Sequence, residues 1–222
     1  RRQRQMCIRD SMGPGEHLVL IDGSGLRITA TITDVQGKDT LAALVDDIAV
    51  SPEPSPRVVV VQAIPKSERA ELAVDLATQA GADEIIAWQA DRCVSKWDAK
   101  KAPKARAKWE SAAVAAAKQS RRTRIPAVRG PMTTRQLCEE IAGTGALVLH
   151  EDATVRLKDL ADLEAEDTIY LLVGPEGGIG EEELAQLTAA GATAIKLGPE
   201  VLRTASASMV ALASIGTLTS RW

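Results

Sequence analysis

Hydrophobic and polar residues alternate along the first quarter of the chain with the two-residue period of a strand that has one face in water. Leu26, Ile28, Ala30 and Ile32 take turns with Arg27, Thr29, Thr31 and Thr33, and an apolar run over residues 17–21 precedes them. Asp22-Gly23-Ser24-Gly25 and Gln36-Gly37-Lys38 carry turn chemistry, and a third strand is expected near residues 40–45. A meander of that size is too short to bury a full core alone. Residues 51–56 (SPEPSP) form a Pro-rich linker, and beyond it the pattern changes. Short apolar runs at 57–62, 84–88, 146–149, 168–173 and 194–197 predict buried strands, with helical stretches between them. Ser67 is placed as the N-cap of a helix that shows Leu72, Leu76 and Ala80 on one face and stops at Gly81. Residues 101–120 are Ala-rich and helical, and Thr133 and Gln136 have capping-box spacing. Three acids open a helix at Glu181 that ends before Gly191. A last helix over 204–218 is apolar on several faces through Met209, Val210, Leu212, Ile215 and Leu218, so it must be buried within the domain or against a partner. Strands alternating with helices predict an α/β fold with a parallel sheet covered on both faces.

Composition narrows the function classes. Hydrophobic residues make up 45% and charged residues 26%, the balance of a soluble globular chain, and no apolar run is long enough to span a bilayer. Cys7, Cys93 and Cys138 stand apart, with no CxxC and no Cys/His cluster, so neither a metal site nor a disulfide framework is expected, and a reducing cytoplasm fits. Residues 1–11 (RRQRQMCIRDS) show no periodicity and are read, with Met12, as an unstructured or artefactual N-terminus. Charge is segregated. Residues 92–129 hold twelve lysines and arginines against two acids, Asp98 and Glu110, on a chain whose formal net charge is −3. Such a segment suits a polyanionic partner met by one face, although a solvated helix face would carry the same charges.

Two glycine-bearing loops follow predicted strands: Gly174-Pro175-Glu176-Gly177-Gly178-Ile179-Gly180 and Gly198-Pro199-Glu200-Val201-Leu202-Arg203-Thr204. In open α/β sheets, ligands bind beyond the carboxyl ends of the strands, where glycine lets backbone approach a ligand closely. Neither loop is a phosphate fingerprint, since GxxxxGK[ST] and GxGxxG are both missing, so a dinucleotide-binding Rossmann reading fails. On spacing alone, two ordinary strand-to-helix turns explain the loops equally well.

The strings LLVGPEGGIGEEEL (171–184) and LGPEVLRTASASMVALASI (197–215) resemble the two signature segments of the RsmE family of 16S rRNA (uridine-N3) methyltransferases, in the SPOUT superfamily. Ile64-Pro65-Lys66-Ser67-Glu68-Arg69-Ala70-Glu71-Leu72, Asp91-Arg92-Cys93-Val94 and Ala117-Lys118-Gln119-Ser120-Arg121-Arg122 resemble further segments of that family, and residues 15–25 resemble its N-terminal PUA-like barrel. The resemblance runs from Gly13 to Trp222. It implies a SPOUT-type trefoil-knotted parallel-sheet domain over 57–222, a linker at 51–56 and a partial PUA-like RNA-binding β domain over 13–50. The chain departs from the family twice. Residues 1–12 do not match the basic strand that usually precedes the barrel, and Ala205-Ser206-Ala207 stands where many members have Glu-Thr-Ala.

The resemblance further implies S-adenosylmethionine as cofactor, 16S rRNA of the small ribosomal subunit as partner, a homodimer and no metal. The cofactor pocket would be made by Leu149, His150 and Glu151, by Gly174, Glu176, Gly177, Gly178 and Ile179, and by Leu197, Gly198 and Leu202. Arg203 is the candidate catalytic group, holding phosphate or stabilising charge on uracil oxygens; alternatively it is an arginine at a helix start paired with an acid such as Glu176. Glu176 either caps backbone donors of its own loop or orients Arg203. His150 is a possible base or a packing residue. Thr204 and Ser206 are read as caps of the last helix. Arg92, Arg121 and Arg122 would face RNA, Trp109 would be helix core, and Trp97 would be buried or stack on a base. A SPOUT methyltransferase acting on tRNA and a non-catalytic RNA-binding protein that keeps the knotted fold are the rival readings.

Overall fold

The computed structural model describes residues 12–37, 40–160 and 162–222. They divide into two compact units, the first reaching Glu53 and the second spanning Pro54–Trp222. The first is a three-stranded antiparallel sheet of β1 (His17–Ile21), β2 (Leu26–Gln36) and β3 (Thr40–Val50) in that spatial order. Leu18, Ala30 and Ile32 are buried on one face, with Met12, Val35, Leu41 and Ala43 packed around them. Met12 thus belongs to this small core rather than to the N-terminal segment, whose residues 1–11 lie outside the described residues, as does Lys38. β3 runs further than the alternation predicts because a bulge interrupts it. Thr29 pairs with Asp47 and Ala30 with Val45, which leaves Asp46 as the extra residue, and its carboxylate accepts a hydrogen bond from the Thr31 hydroxyl at 2.8 Å.

The second unit is a parallel sheet of seven strands among the described residues. Its strands are β4 (Arg57–Ala63), β5 (Glu84–Gln89), β6 (Ala127–Thr133), β7 (Gly145–Leu149), β8 (Val155–Arg156), β9 (Thr168–Val173) and β10 (Thr193–Lys196). They lie in the order β6-β5-β4-β9-β7-β10-β8, and each neighbouring pair is parallel. Val58, Val59, Val60 and Val61 of central β4 are fully buried on both faces, which is why a parallel strand reads as an unbroken apolar run. β6 escapes the sequence pattern because Gly130-Pro131 sits inside it, a pair that only an edge strand tolerates. Five helices among the described residues cover the sheet: α1 (Ser67–Gln79), α2 (Ala102–Gln119), α3 (Thr134–Ile141), α4 (Glu181–Ala189) and α5 (Thr204–Leu218). α1 packs between α2 and α5, and α3 packs against α4. The capping box at Thr133 and Gln136 forms as predicted. α1 starts one residue earlier than predicted, with Lys66 rather than Ser67 at the cap position and no side-chain cap of its own.

Two short 3-10 turns, Leu157–Asp159 and Leu163–Ala165, lie between β7 and β9, and α5 packs against both. Just past α5, the Ser220 amide donates to the Glu164 carboxylate at 2.7 Å. The chain is then locked at the amino ends of the strands by a buried arginine pair. Arg221 donates to Asp83 at 2.8 Å, to the Gly81 carbonyl at 2.6 Å and to the Pro56 carbonyl. Arg122 donates to the carbonyls of Thr78 at 2.6 Å and Ala82 at 2.8 Å, and lies 3.6 Å from Asp83. This geometry overturns the RNA-facing reading of Arg122, whose side chain is 15% exposed and satisfies carbonyls at the end of α1. Arg121 beside it is exposed, with a left-handed φ of 58°.

Removing the Arg122 side chain leaves two buried carbonyls without their charged donor and Asp83 with one arginine fewer. Arg122→Ala is therefore expected to lower unfolding free energy by about 2–4 kcal/mol. Urea denaturation measures this, and a loss below about 0.5 kcal/mol, the range of an ordinary surface change, would contradict the structural role.

Candidate functional site

The strand order sets β9 and β10 on either side of β7, so the loops leaving their carboxyl ends meet. They enclose a cleft of about 670 Å³ that the start of α5 closes. All eleven residues expected in the cofactor pocket line it, and so do Arg92 and Arg203. Leu149, Ile179, Leu197 and Leu202 supply apolar wall, and Glu151, Asp152, Glu181 and Glu200 supply carboxylates. A cavity in the range of about 300–1,000 Å³, with apolar side chains beside fixed polar groups, suits a nucleoside-sized ligand. Carboxylates at the rim also suit a cationic one.

The glycine loop owes its shape to three contacts. The Gly178 amide donates to the Pro175 carbonyl at 2.9 Å, closing a turn in which Gly178 takes a φ of +71°. Gly174 cannot carry a side chain, because a Cβ there would lie 2.7 Å from Ile179 Cγ1. Glu176 does not cap its own loop. Its carboxylate accepts the Lys66 amide at 3.1 Å and so ties the loop to the uncapped start of α1.

Thr204 is the first residue of α5 but does not cap it. Its hydroxyl donates to the Gly174 carbonyl at 2.5 Å and accepts from Gln62 Nε2 at 3.1 Å, joining the ends of β4 and β9 to the last helix. Ser206 bonds back to the Arg203 carbonyl at 3.1 Å. The Arg203 guanidinium is exposed and has no carboxylate partner among the described residues, so the expected alternative of a pair with Glu176 is not formed. His150 Nδ1 accepts the Asp152 amide at 3.3 Å.

Arg92 lies along the glycine loop rather than out in the basic segment. Its Nη1 donates to the Gly177 carbonyl at 3.1 Å, and its side chain runs past Gly177, Gly178 and Gly180. A buried relay holds it there. Trp88 Nε1 donates to the Thr134 hydroxyl at 3.0 Å, that hydroxyl donates to Glu183 Oε1 at 2.5 Å, and the same oxygen accepts the Asp91 amide at 3.0 Å. Glu183 is 1% exposed, and burial pushes its carboxyl above the usual carboxylate range, against the two hydrogen bonds that favour the charged form. In the sequence Glu183 is one of three acids at a helix start. Its spacing of four from Leu187, which is fully buried, was the available sign that it faces inward. Arg69, Lys196 and Val201 also line the cleft without having been singled out.

Residues 51–216 match the family model described as an RNA methyltransferase domain. The chain is 51% identical over 214 residues to the ribosomal RNA small subunit methyltransferase E of Mycobacterium bovis, covering 94% of this chain and 81% of the relative. The protein of the same name from Bacillus subtilis is 28% identical over 212 residues, covering 92% and 82%. The crystal structure of ribosomal RNA small subunit methyltransferase E from Neisseria gonorrhoeae, bound to S-adenosyl methionine, superposes with a TM-score of 0.88 at 25% identity, covering 98% of this chain and 90% of that one.

The raised Glu183 carboxyl has a signed consequence for stability. Between its unfolded and folded pKa the folded protein holds a proton that the unfolded chain has lost. Stability contributed by Glu183 is therefore present at low pH and falls as pH rises through the folded value. Glu183→Gln keeps an acceptor for Thr134 and Asp91 but cannot ionise. Its stability relative to wild type should increase as pH is raised from the ordinary carboxylate range to neutrality, as read from urea midpoints. A difference that stays constant across that range would show that Glu183 does not titrate with folding.

Proposed function

The chain belongs to the ribosomal RNA small subunit methyltransferase E family, and from that premise we propose that it transfers a methyl group from S-adenosylmethionine to N3 of a uridine in 16S rRNA. It is an S-adenosylmethionine-dependent methyltransferase of small-subunit ribosomal RNA. The observation that carries the reading is the convergence of the three strand-end loops, with both signature strings, on one nucleoside-sized cleft.

The cofactor supplies a methyl that is already electrophilic, so the protein's part is binding, alignment and charge stabilisation. In this reading Leu149, Ile179, Leu197 and Leu202 pack the adenine, while the glycine loop and the backbone after β7 and β10 read its edges. Arg92 firms the glycine loop from outside. The target uridine must leave its base pair before N3 is reachable. N3 sheds its proton as it is methylated, and negative charge builds on the flanking uracil oxygens. Arg203, at the fixed start of α5 and with no acid to neutralise it among the described residues, is the group that receives that charge. The Asp152 amide occupies the lone pair of His150 Nδ1, and in this reading the N3 proton leaves to water in the cleft.

Three finer features belong to the same proposal. The contacts of α5 and Ser220 with the turns between β7 and β9 support a chain that threads that segment as a trefoil knot. Met209 and Val210 on α5 are 39% and 40% exposed and Leu72 on the packed helix α1 is 47% exposed, exposed apolar side chains that suit a homodimer. The antiparallel unit that reaches Glu53 serves as a PUA-like RNA-binding domain. No helix among the described residues is long and apolar enough to cross a membrane, and a ribosomal RNA substrate favours the cytoplasm as the enzyme's location.

Mass spectrometry of 16S rRNA, after unmethylated small subunits are incubated with protein and donor, should find one added methyl on N3 of a single uridine. Methyl on tRNA alone, or none despite bound donor, would overturn the reading. Arg203→Lys should bind the donor normally yet transfer about a hundredfold more slowly in single turnover, because lysine cannot reproduce a planar two-point contact. A rate within about threefold of wild type would return Arg203 to a structural role.

A further inference from the structure

Beside the cofactor cleft lies a second cavity of about 460 Å³ between α1, α2 and the loop that joins β5 to α2. Two tryptophans form its inner wall. The Trp97 and Trp109 rings meet edge to face, with centroids 4.9 Å apart and planes at 70°. Trp109 is 1% exposed, whereas Trp97 is only half-buried, so Trp97 is the ring within reach of a ligand. Lys96, Lys101 and Lys108 stand on the rim with a single acid, Glu71. Lys108 lies 3.8 Å from Glu71 and Lys101 lies 3.5 Å from Asp98, but both pairs are exposed and readily exchanged for another anion.

The loop is built to hold this arrangement open. The Gln89 side chain accepts the Trp97 amide at 2.9 Å and donates to the Ser95 carbonyl at 3.2 Å. Upstream, Cys93 is buried and its amide donates to the Ala90 carbonyl at 3.0 Å. Between these anchors Val94 is kept 72% exposed at the cavity mouth. An apolar side chain fixed in water beside an aromatic ring and three cations gains by covering. The cavity also adjoins the first cleft along two segments. Arg69 and Arg92 line the cofactor cleft, and their near neighbours Ala70, Glu71 and Val94 line this one.

We propose that this cavity is a nucleotide subsite, taking an unpaired base of the rRNA strand that flanks the methylated uridine. The base lies against Trp97 and Val94, and its phosphates lie beside Lys96, Lys101 and Lys108. Single-stranded RNA is recognised by this combination of a ring for the base and cations for the backbone. The location has a reason as well. Extruding a target base unstacks its neighbour, and a ring one step along the strand restores the lost stacking. The inference rests on the rRNA methyltransferase reading and adds to it a second contact point on the same strand.

The test compares wild type with Val94→Ser, with Lys96→Ala/Lys101→Ala/Lys108→Ala and with Trp97→Leu, under single-turnover methylation of small subunits. Val94 and the lysines are exposed, so their variants remain informative if Trp97→Leu loosens the core. We expect the donor Kd and the rate at saturating subunits to match wild type. The half-saturating subunit concentration should rise about tenfold for Trp97→Leu, within the range for one lost stacked base, and about fivefold for Val94→Ser and for the lysine variant, which lose an apolar contact and phosphate contacts. The slope of log affinity against log salt should shrink by about two to three in the lysine variant. Half-saturation within about twofold of wild type in both Val94→Ser and the lysine variant would overturn the subsite while leaving the enzyme reading intact. Wild-type protein that fails to methylate subunits would instead overturn the enzyme reading. Raised half-saturation for intact subunits with unchanged affinity for naked 16S rRNA would assign the cavity to a ribosomal protein and also overturn the proposal.

Discussion

One hydroxyl sets the geometry on which the cleft depends. Thr204 is 6% exposed and stands between Gln62, at the end of β4, and the Gly174 carbonyl, at the end of β9. These residues are distant in sequence, and the hydroxyl is both donor and acceptor in the one place where they meet. A carbonyl at a strand end and a buried amide each lose free energy when left unpaired, about 1–3 kcal/mol per group. Their mutual satisfaction therefore fixes where α5 begins. Because α5 begins there, Arg203 and Leu202 stand at the mouth of the cleft and the glycine loop is held from behind. The opposite end of the sheet carries a matching lock, Asp83 between Arg122 and Arg221, which holds the chain where it leaves α5. The last helix is thus pinned near both ends by buried polar groups, while its middle is held by apolar packing.

This arrangement separates the two jobs of the arginines. Those at the amino ends of the strands serve the fold by pairing with carbonyls and carboxylates, as the partly exposed Arg129 does with Glu84 and Glu140. Those at the carboxyl ends, Arg69, Arg92 and Arg203, line the cleft. Arg122 shows why composition alone could not sort them. It sits in a run of like charges that reads as one surface, and only the chain reversal after α2 turns it back toward the end of α1.

Much of the fold was legible because its signals are local. The unbroken apolar runs of β4 and β9, the acid-led start of α4 and the capping box of α3 each follow from a few neighbouring residues. The cleft was legible for a different reason. Its two loops keep strings that resemble a known family, and the eleven residues that the resemblance assigns to the cofactor pocket line one cavity. What escaped was non-local or broken by a bulge. β6 hides behind Gly130-Pro131, the length of β3 hides behind the extra residue Asp46, and the Trp88-Thr134-Glu183 relay joins three segments that no periodicity connects. Thr204 illustrates the limit most clearly. At a helix start a threonine reads as a cap, and nothing in the sequence reveals that its partners lie on two other strands.

The most direct test of this account is calorimetric titration of S-adenosylmethionine into wild-type protein and Thr204→Val. Valine has nearly the shape of threonine but neither donates to Gly174 nor accepts from Gln62. If the hydroxyl sets the start of α5 and thereby the cofactor cleft, Thr204→Val should remain folded and bind the donor at least about tenfold more weakly, the effect of losing roughly 1.4 kcal/mol. Affinity within about twofold of wild type would contradict the account, because the cleft would then form without the contact on which it is said to depend.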